Sequence, residues 1–387
     1  MQRFRFLALF LFTLSATAQQ VPRPRFIDIV APDGLKLKAT FFAATSPAPG
    51  VILLHQCNRQ RKVWDELATR MAASGLNVMT LDLRGYGDSE GTPVDKLSPE
   101  QGNIVFTQKI PADIEAAYKV LFAQPGVSHD VLGAGGASCG VNQSVHLAMN
   151  HPEIKALVLL SEFTDLDGRN FLRAHRGLPL FLATADDDED PGVSELMTWI
   201  SYFSSNTHTQ LVRYKTGGHG VEMFEAHPEL PKMIVDWLAT ELHSPSSNVP
   251  TRVVDPGRQV QFLEAIDRTG GGIKAANLYS EIYQPSPKAA AVPEAILNRV
   301  GYDHLQSGNK QDAIGILKLN ASLYPQSPNA YDSLADAYLA DGQNDLARQN
   351  TQKALELLAT DTTDSEGRRK EIRESAEQKR NQLGPPR

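Results

Sequence analysis

Cysteine is almost missing from this chain: there are two in 387 residues, Cys57 and Cys139. That excludes a fold stapled by several disulfides and leaves room for one bridge. An excess of positive charge is missing too. Lys and Arg number 38 against 45 Asp and Glu, a net charge of −7, so nothing in the balance attracts nucleic acid. Long hydrophobic runs are scarce. The apolar run at residues 6–14 is too short to span a bilayer, and no later stretch is apolar enough for a membrane helix. The length suffices for two domains with ample cores.

The apolar start reads as a secretory leader over residues 1–18. Arg3 and Arg5 give it a positive beginning, and Ala16-Thr17-Ala18 supplies small residues for cleavage after Ala18. The competing reading is a buried N-terminal helix. A polar, proline-broken segment follows at residues 19–24, and the expectation is export to a secreted or periplasmic location.

Strand and helix signals then alternate. Residues 26–29 and 35–42 read as strands around the turn Ala31-Pro32-Asp33-Gly34. Residues 51–54 form a short continuous apolar run, as expected of a strand buried on both faces. Further strands are expected at 76–81, 131–134, 156–160, 180–184 and 211–214. Helical spacing connects them: Trp64, Leu67 and Met71; Ile114, Ala117 and Leu121; Val141, Val145 and Ala148; and a closing helix over 233–242. The alternation predicts an α/β fold with a doubly wound, mainly parallel sheet. Reactive loops of such sheets lie at the carboxyl ends of the strands.

One of those ends carries Gly136-Ala137-Ser138-Cys139-Gly140, the pattern Gly-x-Ser-x-Gly. A serine there sits on a sharp strand-to-helix turn, with a helix N-terminus beneath it favouring negative charge. A glycine-rich phosphate loop is the other reading. An activated serine needs a base within reach and an acid to orient that base, in the chain order Ser, acid, His. His219, in Gly217-Gly218-His219-Gly220 after the last strand, is the candidate base. The acid is expected within Asp186-Asp187-Asp188-Glu189-Asp190, and Asp188 is chosen for reach. Asp186, Asp187 and Glu162 remain open, and so does the reading of the run as a solvated loop or a weak divalent-cation site. The developing oxyanion needs donors. These are expected from the backbone N–H of Cys139, just after the nucleophile, and of Cys57, in the loop His55-Gln56-Cys57-Asn58. The His55 side chain is read as structural. Both cysteines therefore fall at the oxyanion hole and should lie near each other. Export would permit a bond between them, whereas two oxyanion amides need not orient their Cβ atoms as a disulfide requires. The pair is left as either a disulfide or two thiols.

Taken together, residues 25–243 resemble the α/β-hydrolase superfamily, and within it the small dienelactone-hydrolase-like esterases. The resemblance rests on Leu53-Leu54-His55, on Asp82-Leu83-Arg84-Gly85-Tyr86-Gly87-Asp88-Ser89, on the Gly136–Gly140 pentapeptide, on the acidic turn and on Gly218-His219-Gly220. It implies a Ser138–Asp188–His219 triad that hydrolyses through an acyl-enzyme, with no cofactor and no metal. Two positions depart from the family pattern. Gln56 and Val141 stand where many members have glycine. The dienelactone hydrolases proper use cysteine as nucleophile, so lactone specificity does not carry over. Between 160 and 180 there is room for one short helix and no lid domain. With residues 90–109 read as irregular, this predicts an open site for a small or medium ester, with peptide or amide cleavage as the alternative.

Residues 244–258 read as a linker. Beyond it, residues 259–383 are expected to be helical. Gly308 and Gly342 are 34 apart, as are Ala313 and Ala347, and Leu297 pairs with Tyr331 on the same period. The segment 294–360 resembles tetratricopeptide repeats, with repeats at about 294–327 and 328–361. That implies a protein or peptide partner, self-association, or packing on the hydrolase. A non-catalytic scaffold acting through this segment is the second reading of the whole chain.

Overall fold

The computed structural model describes residues 22–244, 251–252, 255–283 and 292–384. The expected leader and most of the expected linker lie outside the described residues. Eight strands form one sheet: β1 (Arg25–Val30), β2 (Lys36–Phe42), β3 (Ala48–Leu54), β4 (Asn77–Leu81), β5 (Val127–Ala137), β6 (Ile154–Leu160), β7 (Leu180–Ala185) and β8 (Gln210–Tyr214). Their order is β1-β2-β4-β3-β5-β6-β7-β8. β1–β2 and β2–β4 pair antiparallel, and every later pairing is parallel. Every residue of β3, β4 and β7 is buried, which is why residues 51–54 of β3 read as an unbroken apolar run rather than an alternating one.

Helices α1 (Asp65–Ala73), α2 (Pro99–Ile104), α3 (Ile110–Phe122), α4 (Cys139–Asn150), α5 (Leu166–Ala174), α6 (Val193–Ser201), α7 (Met223–Ala226) and α8 (Leu230–His243) surround the sheet. Alternate residues of each strand feed opposite faces. Val51, Leu53, Val158 and Phe181 pack under α1 and α8. Ile52, Leu54, Leu157 and Leu182 pack under α3, α4 and α6.

Residues 90–109 are more ordered than expected. Ser98 caps α2 by accepting from the Gln101 N–H, Gln101 returns the bond, and proline stands in the first turn. That is a capping box with proline where its missing N–H does no harm. Pro111 stands in the first turn of α3, where its missing N–H does no harm, and a π-helical turn, Val105–Lys109, leads into that helix. Helix α6 carried no marked sequence signal. It holds the fully buried Trp199.

The C-terminal segment is helical: α9 (Arg258–Ile266), α10 (Ala275–Tyr283), α11 (Glu294–Gln306), α12 (Lys310–Leu323), α13 (Pro328–Ala340), α14 (Asn344–Leu358) and α15 (Glu366–Leu383). These helices do not dangle from the sheet. Leu196 and Trp199 of α6 share one core with Phe262 and Leu263 of α9 and Ile296 and Leu297 of α11. A charged latch crosses the same boundary. Arg169 of α5 is wholly buried; its guanidinium donates to Asp267 at 2.7 and 3.0 Å, to Asp303 of α11 at 2.6 Å and to the Thr164 carbonyl at 2.8 Å. Arg173 adds bonds to Asp267 and Glu264. Burial alone would raise the Asp267 carboxyl, but the charges of Arg169 and Arg173 and the His304 and Arg169 hydrogen bonds hold it far below the usual carboxylate range. Cys57, in the loop after β3, and Cys139, opening α4, form a disulfide with a Cα–Cα distance of 5.9 Å. Closing the intervening 82-residue separation restricts the unfolded chain by about 4.5 kcal/mol on the chain-entropy account.

Two measurements check these ties. A thiol assay on the denatured, unreduced protein should find no free thiol, and two thiols would refute the bond. Arg169→Met leaves Asp303 without its arginine and strips Asp267 of two of its bonds, and should lower stability by about 3–5 kcal/mol in denaturant unfolding. An unchanged midpoint would show that the latch contributes nothing. Because the Asp267 pKa is depressed, its contribution is present in full above about pH 4 and is lost as acid protonates the folded state.

Candidate active site

The site is built from loops at the carboxyl ends of β3, β5, β6, β7 and β8. At the end of β5, Ser138 takes φ 49° and ψ −127°, a left-handed setting that costs a non-glycine residue about 1–3 kcal/mol. Its N–H donates to the Leu160 carbonyl of β6 at 2.9 Å, and its carbonyl accepts from Val141 at 2.7 Å. The strand reverses into α4 so tightly that a Cβ on Gly136 would collide with the Gly140 carbonyl. A Cβ on Gly140 would collide with the Leu54 carbonyl of β3. The pentapeptide's glycines are there for this close approach.

At the end of β8, the His219 Nδ1–H donates to Asp188 Oδ1 at 2.8 Å. The Asp190 N–H also donates to that oxygen, at 2.9 Å. The other oxygen, Oδ2, is buried and has no partner among the described residues. Burial pulls the imidazole pKa down, but the Asp188 hydrogen bond and the charges of Asp188, Asp190 and Glu162 outweigh it, and the net shift is upward. The other acid candidates are engaged elsewhere. Asp186 pairs with Arg213 and Lys215. Asp187 accepts the Gly217 and Gly218 N–H groups at 2.8 and 3.0 Å, bracing the loop that presents the histidine. Glu162 pairs with Arg299 of α11 at 2.6 Å, and burial raises its carboxyl.

Asp188 and His219 are thus in contact. No hydrogen bond joins Ser138 to His219 among the described residues, but their neighbours lie close: a Cβ on Gly220 would meet the Ala137 methyl at 3.4 Å. The N–H groups of Cys57 and Cys139 have no protein acceptor among the described residues. Cys139 opens α4, where an N–H has no partner within its own helix. The disulfide joins the two residues that carry these free donors.

The surrounding loops are fixed by polar contacts. His55 is buried; its Nδ1–H donates to the Gln56 carbonyl at 2.7 Å and its Nε2 accepts from the Leu83 N–H at 3.0 Å, which assigns the tautomer. Burial keeps its pKa low. In the stretch 82–89, Asp82 is paired with Arg61 and accepts the Asp88 N–H at 2.9 Å, while Arg84 is paired with Asp113 at 2.6 Å. This motif is structural. Gln56, the departure from the family pattern, accepts the Val221 N–H at 3.0 Å through its side chain. It ties the loop after β3 to the histidine loop, and its only sequence signal was that departure. Among the described residues, no group of three or more His, Cys, Asp and Glu side chains is arranged to hold a metal ion.

Only α5 lies between β6 and β7, and α11 of the C-terminal segment packs near their carboxyl ends, where Arg299 pairs with Glu162. A cavity of about 1220 Å³ beside the site is lined by Cys139, Glu162 and Asp190 on one side and by Asn298 and Arg299 of α11 on the other. Nothing between residues 160 and 180 could reveal this neighbour, because it comes from a helix more than 100 residues downstream.

Comparison with known proteins bears on the sheet domain. Residues 45–187 match the family described as serine aminopeptidase, S33. An uncharacterized protein of Mycobacterium tuberculosis is 33% identical over 148 residues, 38% of this chain and 48% of that protein. A thiohydrolase of Aspergillus aculeatus is 24% identical over 133 residues, 34% of this chain and 39% of that protein. The chain spans about half the length, or less, of the curated relatives it matches. Among solved structures, an esterase of Pyrococcus furiosus is 21% identical with a TM-score of 0.44, covering 56% of this chain and 91% of that one. A cold-adapted esterase from an Arctic intertidal metagenomic library is 20% identical with a TM-score of 0.45, covering 57% and 94%. The family match spans the sheet from its third to its seventh strand and fits an α/β-hydrolase reading of that part of the chain.

Proposed function

We propose that the protein is a serine hydrolase cleaving small or medium carboxylic esters through an acyl-enzyme, with Ser138 as nucleophile, His219 as base and Asp188 as its orienting acid. The observation that carries this reading is the His219–Asp188 hydrogen bond at 2.8 Å, on a loop that lies close to the strained turn bearing Ser138. Asp188 occupies Nδ1, so Nε2 is the nitrogen left to serve the serine. In the reaction, Ser138 Oγ attacks the ester carbonyl carbon while His219 Nε2 takes its proton. The oxyanion is received by the Cys57 and Cys139 N–H groups, which the disulfide holds in register. His219 then protonates the departing alkoxide, leaving the acyl-serine, and the same steps with water release the acid. The motifs favour the small dienelactone-hydrolase-like esterases within the superfamily. Amide or peptide cleavage on the same triad is the second reading, favoured by the serine aminopeptidase description of residues 45–187. Export accords with the leader pattern and with the disulfide, which persists in oxidising compartments.

The C-terminal helices are read as two tetratricopeptide-like repeats. In support, α11 and α13 begin 34 residues apart (294 and 328), as do α12 and α14 (310 and 344). Gly308 and Gly342 both take positive φ, and Ala313 and Ala347 are both wholly buried. In this reading their role includes packing on the hydrolase.

A fluorophosphonate should label Ser138, and Ser138→Ala should abolish labelling with the fold intact. Labelling that survives means the wrong serine, and none in either protein favours the scaffold reading. His219→Ala should slow acylation by about three orders of magnitude or more. Only the neutral imidazole is a base, and its pKa is raised. Activity should therefore rise with pH on an acid limb whose midpoint lies above about 6.5. A midpoint well below that value would contradict the assignment of His219.

A further inference from the structure

We infer that helix α11 belongs to the catalytic apparatus: Arg299, seated beside Ile296 on that helix, positions the loop that carries the acid of the triad. The site is therefore not complete within the sheet domain. Arg299 is a positioning residue in this scheme, acting on Asp188 through Asp190 and Glu162. The inference rests on the Ser138–Asp188–His219 reading for the role of the loop, and on the contacts of α11 for the positioning.

The acid loop runs from the end of β7 to the start of α6. It closes at Gly192, which takes φ 87°, and a Cβ there would lie 2.7 Å from Ile296 Cγ1. Ile296 is wholly buried, so the far end of the loop rests its backbone directly on α11. Arg299 follows Ile296 by three residues and shares its side of the helix. Its guanidinium donates to Glu162 Oε2 at 2.6 Å and stands 3.6 Å from Asp190 Oδ2. It also lies 5.0 Å from the centre of the Phe163 ring, within cation–π range. One side chain of α11 thus spans two loops of the sheet domain, the turn after β6 and the acid loop after β7. A planar fork of donors suits that task better than a point charge.

Both loops lead to the triad in a short step. The Asp190 N–H donates to Asp188 Oδ1, the oxygen that also receives His219 Nδ1–H. Asp188 Oδ2 has no partner among the described residues, so the two bonds at Oδ1 are what orient the carboxylate. On the other loop, the Leu160 carbonyl accepts the Ser138 N–H two residues before Glu162. Ser161, between them, takes φ 50°. That setting costs a non-glycine residue about 1–3 kcal/mol and persists only where its surroundings hold it. Here the Ser161 N–H donates to the Ala183 carbonyl at 3.0 Å, the Phe163 N–H donates to Glu162 Oε1 at 2.9 Å, and Arg299 grips the other oxygen of Glu162.

The electrostatics point the same way. Glu162 is 7% exposed. Burial raises its carboxyl, and the charge of Arg299 is first among the influences that oppose this. Besides Asp188, the carboxylates whose charges act on His219 are Asp190 and Glu162, the two that Arg299 holds. The helix itself is fastened one turn further on, where Asp303 accepts from the buried Arg169.

The test uses the full chain, with turnover of p-nitrophenyl acetate and the far-downfield proton resonance of the His219 imidazole N–H bonded to Asp188. Arg299→Met should lower kcat about tenfold or more with KM little changed, and should shift or broaden the resonance. Arg299→Met/Glu162→Gln removes the buried charge together with its partner, which guards against misfolding of the single variant. It should show the same loss of kcat and the same change in the resonance. In an Asp188→Ala background, Arg299→Met should change kcat by less than about twofold, because the positioned group is already gone. An unaltered kcat and resonance, a rise in KM alone, or a tenfold effect that persists without Asp188 overturns the inference. If fluorophosphonate leaves Ser138 unlabelled while the resonance still responds to Arg299→Met, the positioning stands and the serine-hydrolase reading is what fails.

Discussion

The arrangement depends on one close approach: β3, β5 and the first turn of α4 pack at Gly136 and Gly140 with no space for a methyl group. This contact brings the helix N-terminus beneath the turn and forces Ser138 into a left-handed backbone setting. It also puts Cys139 beside the end of β3, where the chain carries Cys57. The disulfide is the covalent counterpart of that packing. Without the glycines the strand could not turn so sharply, and the two free N–H groups would not be brought to one place.

Around this centre, buried polar contacts fix loops that would otherwise be mobile. His55 joins the loop after β3 to the loop after β4 by accepting the Leu83 N–H at Nε2, while its Nδ1–H donates to the Gln56 carbonyl within its own loop. Gln56 joins the same loop to the one carrying His219. Asp187, two residues past β7, accepts from two consecutive glycine N–H groups and holds the histidine loop open on its acid side. Each contact is modest in net energy, but breaking those of His55 or Gln56 would leave a shielded donor or acceptor unpaired, which is the costly outcome.

The C-terminal helices extend the same logic. Buried charge is expensive unless paired and hydrogen-bonded, and Arg169 meets that condition only when Asp267 and Asp303 are in place. The latch therefore selects one docking of α9 and α11 on the sheet domain. A cavity bordered by α11 results, although no lid segment interrupts the sheet domain among the described residues. The conventional place to look for a cover, between β6 and β7, holds only α5, and α5 supplies the arginine that fastens α11.

What the amino-acid sequence determined by itself was local and periodic. Unbroken apolar runs gave the parallel strands, helical spacing gave α1, α3, α4 and α8, and the 34-residue recurrence gave the positions of paired helices. The Gly-x-Ser-x-Gly turn and the glycine-flanked histidine were legible because tight turns demand particular residues. The choice of Asp188 was legible only as an argument from reach, and the contact with His219 comes from the loops as folded. What only the tertiary structure decided was whatever depends on distance across the chain: the pairing of Cys57 with Cys139, the side-chain bridge of Gln56, the engagement of Glu162 by Arg299, and the placement of α11 beside the site. No local pattern encodes them, because the partners are brought together by packing of whole elements. The physical reason is that side-chain periodicity reports which face of an element is buried, but not which other element covers it.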